Sequence, residues 1–201
     1  TKLRSKITQY SGDWKYSYGF NLQLSKYSNA TLSLLENFNY ATSIDFTKYG
    51  FFGKASRSYF NERLSLSLGV RLDADSFTTG SSLIDNFSPR VAASYRLTED
   101  ERWKVNASVG RYFKMPTYTM LGFQDLAGNF INQNNRYTQS DHYVVGVEYN
   151  WSPTSRITIE GFLKDYSQYP VSVLDQVSLA NKGGGFEVLG NEPIVDSGEG
   201  Q

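Results

Sequence analysis

From Trp14 to Leu24 every second residue is apolar: Trp14, Tyr16, Tyr18, Phe20, Leu22 and Leu24. Between them stand Lys15, Ser17, Gly19, Asn21 and Gln23. A helix would spread the first set around its circumference, whereas an extended strand puts all of them on one face. The same rule holds from Arg63 to Asp73, where Leu64, Leu66, Leu68, Val70 and Leu72 alternate with Ser65, Ser67, Gly69 and Arg71. It returns in Trp103, Val105, Ala107 and Val109, in Tyr143, Val145, Val147, Tyr149 and Trp151, and in Ile157, Ile159 and Leu163. The pattern predicts eight strands, over 2–10, 14–25, 48–58, 62–74, 87–97, 102–114, 141–151 and 155–168, and no amphipathic helix. The expected fold class is all-β and antiparallel.

The connections sort themselves. Short ones lie around Ser11–Asp13, Tyr59–Asn61, Thr98–Glu101 and Ser152–Thr154; long ones at Lys26–Thr47, Ser76–Asn86, Met115–Ser140 and after Ser167. Strict short–long alternation puts every tight end on one side, the mark of an up-and-down transmembrane β-barrel. Several strands exceed the roughly 9–11 residues that cross a bilayer at a tilt. Trp14, Trp103 and Trp151 all stand beside short turns, at one height, as an interfacial aromatic belt requires. Charges such as Arg63, Arg71, Asp73, Lys104, Glu148, Glu160 and Lys164 occupy the alternate positions, and these should line a wet interior. A soluble sandwich would turn the same residues to water and bury the apolar rows between two sheets.

Composition narrows the chemistry. The 201 residues carry 20 Lys and Arg against 20 Asp and Glu, so the basic excess of a nucleic-acid surface is missing. Mean hydropathy is −0.46, and no 18-residue apolar run exists to make a membrane helix. Aromatic residues make up 15% of the chain, which a disordered segment would not show. There is no cysteine, and His142 is the only histidine, so thiolate and multi-histidine metal sites are excluded. Ser140 and Asp141 adjoin His142 as in a hydrolase triad, but neighbours on a strand point to opposite sides, so the reading is a polar rim residue and no enzyme. Gly183–Gly185 precedes no helix and reads as a loop rather than a phosphate cradle. The acids after Pro170, among them Asp175, Glu187, Glu192 and Asp196, read as a solvated loop. The most plausible ligand-facing element is Met115–Ser140, with Tyr118, Phe123, Phe130, Asn132, Arg136 and Tyr137 as candidate contacts. Rings that stack beside amides that hydrogen-bond suit sugars or large polar chelates. The other reading of that segment is a loop packed on itself over a barrel mouth.

Particular runs carry a family resemblance. Gly69-Val-Arg-Leu-Asp73, Phe87-Ser-Pro-Arg90 and Val109-Gly-Arg-Tyr-Phe-Lys-Met-Pro116 resemble the G-x-R-x-D, F-S-P-R and G-x-x-F-[RK]-x-P segments of TonB-dependent outer-membrane receptor barrels. Tyr143-Val-Val-Gly-Val-Glu148 is similar to the family's Y-x-x-G-x-E strand, and Ile159-Glu-Gly-Phe-Leu-Lys-Asp-Tyr166 to the strand after it. Ser197-Gly-Glu-Gly-Gln201 resembles a lead into yet another strand, and Lys114 stands where many members carry arginine. The chain is therefore expected to be part of a larger barrel, about eight strands of ~22 around a plugged lumen. Residues 1–201 are expected to be barrel alone, without a signal peptide or plug domain, and 115–140 and 169–201 are expected as long extracellular loops. The resemblance implies a Gram-negative outer-membrane importer of a scarce bulky solute: a ferric siderophore, a cobalamin-like molecule or a glycan. The TonB protein would energise it through a plug domain, outer-membrane lipid would surround it, and no cofactor or nucleic acid is involved. The alternative is a passive or structural barrel, porin-like or small and eight-stranded.

Overall fold

The computed structural model describes residues 1–33, 38–100, 102–183 and 189–201. They form one antiparallel sheet of nine strands in simple sequence order. The strands are β1 (Lys2–Ser11), β2 (Trp14–Ser33), β3 (Phe38–Tyr59), β4 (Leu64–Asp75) and β5 (Ser88–Arg96), then β6 (Trp103–Lys114), β7 (Thr138–Ser152), β8 (Ser155–Ser172) and β9 (Ile194–Gly200). One helical turn, α1 (Tyr118–Leu121), interrupts the β6–β7 connection. The up-and-down reading is therefore met, with nine strands in place of the expected eight.

Two connections differ from expectation. The long one at Lys26–Thr47 is mostly paired strand, since the β2–β3 ladder continues through Ser28↔Ser43 and Ala30↔Ala41. Residues 26–30 are largely polar, so no apolar alternation marks them; backbone pairing needs none once the ribbon has left the lipid. The segment 169–201, expected as loop throughout, begins with the last turn of β8 to Ser172 and ends in β9, whose pairing to β8 is broken by register shifts. Such irregular pairing leaves little periodic trace in a sequence.

Register confirms the two faces. Leu22, Tyr49, Phe20 and Phe51 share one side of β2 and β3, while Asn21, Gly50, Gln23 and Lys48 share the other. Across β6, β7 and β8 the apolar side holds four rows: Trp103–Tyr149–Ile157, Val105–Val147–Ile159, Ala107–Val145–Gly161 and Val109–Tyr143–Leu163. The next outward row is Arg111–Asp141–Asp165, where a bidentate ion pair at 2.8 and 2.9 Å ties Arg111 to Asp141. From the first row to that charged row is about 26 Å along the strand, on the order of 20 Å along the normal at a ~40° tilt. An outer-membrane barrel needs an apolar band of about 25 Å. All three tryptophans lie on this outward side at its tight-turn edge, Trp103 with its ring centroid 4.4 Å from that of Tyr149.

The apolar rows are not buried between layers. Leu68, Val145 and Ile159 stand 59%, 56% and 74% exposed, as lipid-facing side chains of an isolated chain should. The hydrophobic core lies elsewhere. Ile44, Phe46 and Leu121 are buried, packed by Tyr27, Phe77, Met115, Tyr118 and Phe130. Ile44 and Phe46 occupy the same side of β3 as Lys48 and Gly50, so this core sits on the polar face, at the long-loop end.

Candidate functional site

The polar face is closed at its long-loop end by a folded cap, and the cap is built from buried amides. Asn132 is 1% exposed; its side-chain nitrogen donates to the carbonyls of Met120 at 3.0 Å and Glu192 at 2.8 Å, and its oxygen accepts from the Ile194 amide at 2.8 Å. Asn135 donates to the carbonyls of Asn132 and Ile194, and Gln133 to that of Phe77. Three connections that are far apart in sequence are thereby tied together. A buried amide with every partner present fixes a unique arrangement, and one left open would cost more than the bond gains.

Asp75 is the second knot. It ends β4, is 6% exposed, and accepts from the Phe77 and Thr78 amides at 2.7 Å, from the Thr78 hydroxyl, and from the Tyr137 hydroxyl at 2.7 Å. Burial first, and then the bond to Asp75, push the Tyr137 hydroxyl far above its ordinary pKa, so it stays a donor. A third knot holds the β8–β9 connection. The Lys182 ammonium donates to both Glu192 oxygens, at 2.6 and 2.8 Å, and pairs with Asp175 at 2.9 Å. Burial pulls Lys182 down, but the two carboxylates outweigh it and its pKa is raised. The hydrogen bond from Lys182, with the Val177 amide behind it, holds Asp175 below the usual carboxylate range.

Beneath the cap, between it and the polar face, lies a cleft of about 610 Å³. Its cations are Lys2, Arg4, Lys48, Arg71 and Lys114; its one carboxylate is Asp73. The Arg71 guanidinium grips Asp73 and donates to the Asn21 side-chain oxygen Oδ1 at 3.1 Å. Gly50 makes room for that network: a Cβ there would lie 2.3 Å from an Asp73 oxygen and 3.1 Å from the Asn21 oxygen. The Lys48 ammonium stands 4.6 Å from the Tyr118 ring centroid, and Arg4 lies 5.8 Å from that of Phe52. These are cation–π distances.

The six residues expected as ligand contacts divide. Tyr118 and Tyr137 line the cleft. Phe130 packs edge-on against Phe77 at 5.1 Å, and Asn132 is the cap's central strut. Arg136 is exposed but bonded to Asp196 at 2.6 Å, and Phe123 is half-buried, its amide donating to the Met120 carbonyl. So much of Met115–Ser140 packs on itself, because its amides find backbone partners before solvent. The expected reading overlooked the wall cations. Lys2, Arg4, Lys48 and Arg71 come from three strands, and only the register brings them onto neighbouring rows of one face.

His142 sits on β7 facing the polar side, its Nε2 2.8 Å from the Ser140 hydroxyl. Tyr112 stacks over it with centroids 4.4 Å apart. Asp141 lies on the opposite face, held by Arg111. A serine and a histidine are together, then, but the neighbouring carboxylate that would orient the imidazole points away, which is not the geometry of a triad. Of the glycine run, Gly183 is described and Gly184 and Gly185 lie outside the described residues, as does Glu187.

A single antiparallel sheet with one lipid-type face, an aromatic edge, a polar face and a folded cap defines an outer-membrane β-barrel wall. The family model described as TonB dependent receptor-like, beta-barrel, matches residues 3–192, and the chain belongs to that family. Its setting is the Gram-negative outer membrane, and the family is one of receptors and transporters rather than enzymes. No curated protein matches the sequence. Among solved structures the chain is similar to the copper transporter OprC, with a TM-score of 0.59 and 16% identity over 85% of this chain and 30% of that one. It is also similar to OmpT, an outer membrane protein of Vibrio cholerae, with a TM-score of 0.51 and 12% identity over 88% of this chain and 50% of that one. The chain thus spans about a third of the first and half of the second, and both likenesses are of fold.

Proposed function

We propose that this chain forms part of the wall and mouth of an energised importer, one that takes up a bulky solute too scarce to enter by diffusion. Family membership, joined to a cap folded onto the polar face at the long-loop end, supports this reading. The sheet has two edge strands, β1 and β9, and hydrocarbon tolerates no unpaired edge, so further strands would complete the wall. The long connections would face outside the cell and the tight turns the periplasm. A plug domain would fill the lumen and link it to the TonB protein, while lipid covers the apolar rows. The cleft under the cap is where an incoming solute would first meet fixed charge. Ferric chelates, cobalamin-like molecules and glycans are the classes to test.

The test is uptake. Cells lacking the gene should lose import of one labelled class among iron chelates, cobalamin and oligosaccharides, and cells lacking TonB should lose the same one. Import that survives loss of TonB would assign the protein to passive barrels instead.

A further inference from the structure

We infer that the cleft beneath the cap binds a polyanionic solute, one presenting carboxylate or phosphate oxygens. The inference rests on the importer reading and names the chemistry of what is imported. Lys2, Arg4, Lys48 and Lys114 all line the cleft, and among the described residues none of the four has a carboxylate partner. Of the acids at that height one is neutralised and the other, Asp75 opposite Lys48 on the β3–β4 ladder, keeps its charge but makes no ion-pair contact among the described residues, so the cations remain in excess. Asp73 is clamped by Arg71, and Asp75 is closed by two amides and two hydroxyls. Four like charges gathered in one partly enclosed space repel one another, and low-dielectric walls focus their field. A chain of zero net charge has no compositional need to gather them there.

The cations are also presented rather than idle. Lys48 rests over Tyr118, and Arg4 lies near the ring of Phe52. Ring contact steadies the stems, and the charged heads keep their hydrogen-bond donors for an acceptor. On the same face below the cleft stand Lys6, Lys54, Arg90 and Lys164, with Glu160 and Glu148 further toward the tight-turn end, so an anion leaving the cleft would first meet further positive charge. A neutral glycan is less well served. It calls for free amides beside rings, but of the cleft's two amides the Asn21 oxygen is held by Arg71 and the Gln23 nitrogen by Ser25, and the cap's Asn132, Gln133 and Asn135 are spent on carbonyls. About 610 Å³ lies within the usual range for a small-molecule site.

The experiment uses the full-length receptor in detergent, with ferric citrate as the anionic probe and cyanocobalamin and maltoheptaose as neutral ones. Binding is measured by calorimetry at 50 and 500 mM salt (about 14 and 4 Å of screening length). Ferric citrate should bind at least tenfold tighter than either neutral probe. Its affinity should fall at least tenfold in the Arg4→Gln, Lys48→Gln, Lys114→Gln triple variant and again at high salt. Lys26→Gln, on the outward face and paired with Asp45, is the control and should change nothing. Equal or tighter binding of a neutral probe, or no binding of ferric citrate, would overturn the proposal. So would an affinity the triple variant leaves unmoved, including the case where only its melting temperature shifts, which would mark an acidic protein segment as the counter-charge. The two readings fail separately: TonB-dependent uptake of a neutral solute keeps the importer and removes the anion, whereas salt-sensitive anion binding with TonB-independent uptake does the reverse.

Discussion

Replacing Val145 by lysine asks the membrane itself which face it touches. Val145 points outward from β7, four residues from Tyr149 at the aromatic edge and four from Asp141 in the first charged row. It therefore sits at the middle of the apolar band, where a lysine cannot reach either interface without dragging water with it. The penalty for lysine at the midplane of a barrel is about 2–4 kcal/mol, or about 30- to 700-fold in the folding equilibrium. Val144, one residue away, points to the polar face beside Ser108 and Phe162. Val144→Lys should cost about 0.5 kcal/mol or less, as a substitution into a wet lumen does. The assay is urea titration of the full receptor folding into phospholipid vesicles, followed by tryptophan fluorescence and by heat-modifiable gel mobility. Equal costs for the two variants, or a larger one for Val144→Lys, would refute the face assignment.

Three further outcomes test the cap and the cleft floor. Asn132→Ala leaves two carbonyls and one amide without their buried partner, at about 1–3 kcal/mol each if none is rehydrated; hydrogen exchange in 118–137 and 189–196 should speed by at least tenfold while the strand core stays protected. Gly50→Ala drives a methyl against the Asp73 carboxylate and the Leu72 backbone oxygen and should cost about 1–3 kcal/mol in urea titration; a neutral result would mean that Asp73 and the β4 backbone both give way. The Lys182 knot sets a pH window. Asp175 is lowered below 3.8 by Lys182, so its contribution is present above that value and is lost as pH falls through its folded pKa. Lys182 is raised above 10.5, so its contribution is present below that value and is lost as pH rises through its folded pKa. Limited proteolysis of 173–183 should accelerate below about pH 4 and above about pH 10.5, and Lys182→Met should abolish the alkaline limb and weaken the acid one, where the Val177 amide still holds Asp175.

The membrane-crossing parts of the fold were legible because lipid imposes a period of two on them. Trp14 to Leu24 alternates without a break for that reason, and so does Leu64 to Leu72. Outside the lipid the constraint lapses. Residues 26–30 pair as faithfully as those before them, yet nothing in their side chains announces it. The same loss of signal hid β9, and it hid the cap. Asn132, Gln133 and Asn135 look from the sequence like free amides awaiting a ligand; only the folded chain brings the carbonyls of Met120, Phe77, Glu192 and Ile194 to the other end of their bonds. Tyr118 could be picked out as an aromatic in a long connection. Its partner Lys48 lies 70 residues away on β3 and is invisible to any local pattern.

Charge is where the sequence total misleads most. Twenty bases and twenty acids sum to zero, but alternation sorts them. A base at an inward position of β1, β3 or β6 stays inward, as Arg4, Lys48 and Lys114 do. Many acids instead fall in turns and connections, where Asp85, Asp100, Asp125 and Asp175 are each held below the ordinary carboxylate pKa by a side-chain hydrogen bond first and by local amides after it. There they stabilise loops and do not neutralise the wall. Zero net charge and an electropositive cleft are thus compatible, because many acids sit in turns and connections while Lys2, Arg4, Lys48 and Lys114 gather at the long-loop end of the inward face. The consequence is experimental: adding acid to the loops should leave anion binding in the cleft almost unchanged beyond a Debye length, whereas a single inward substitution such as Lys48→Glu should reverse it.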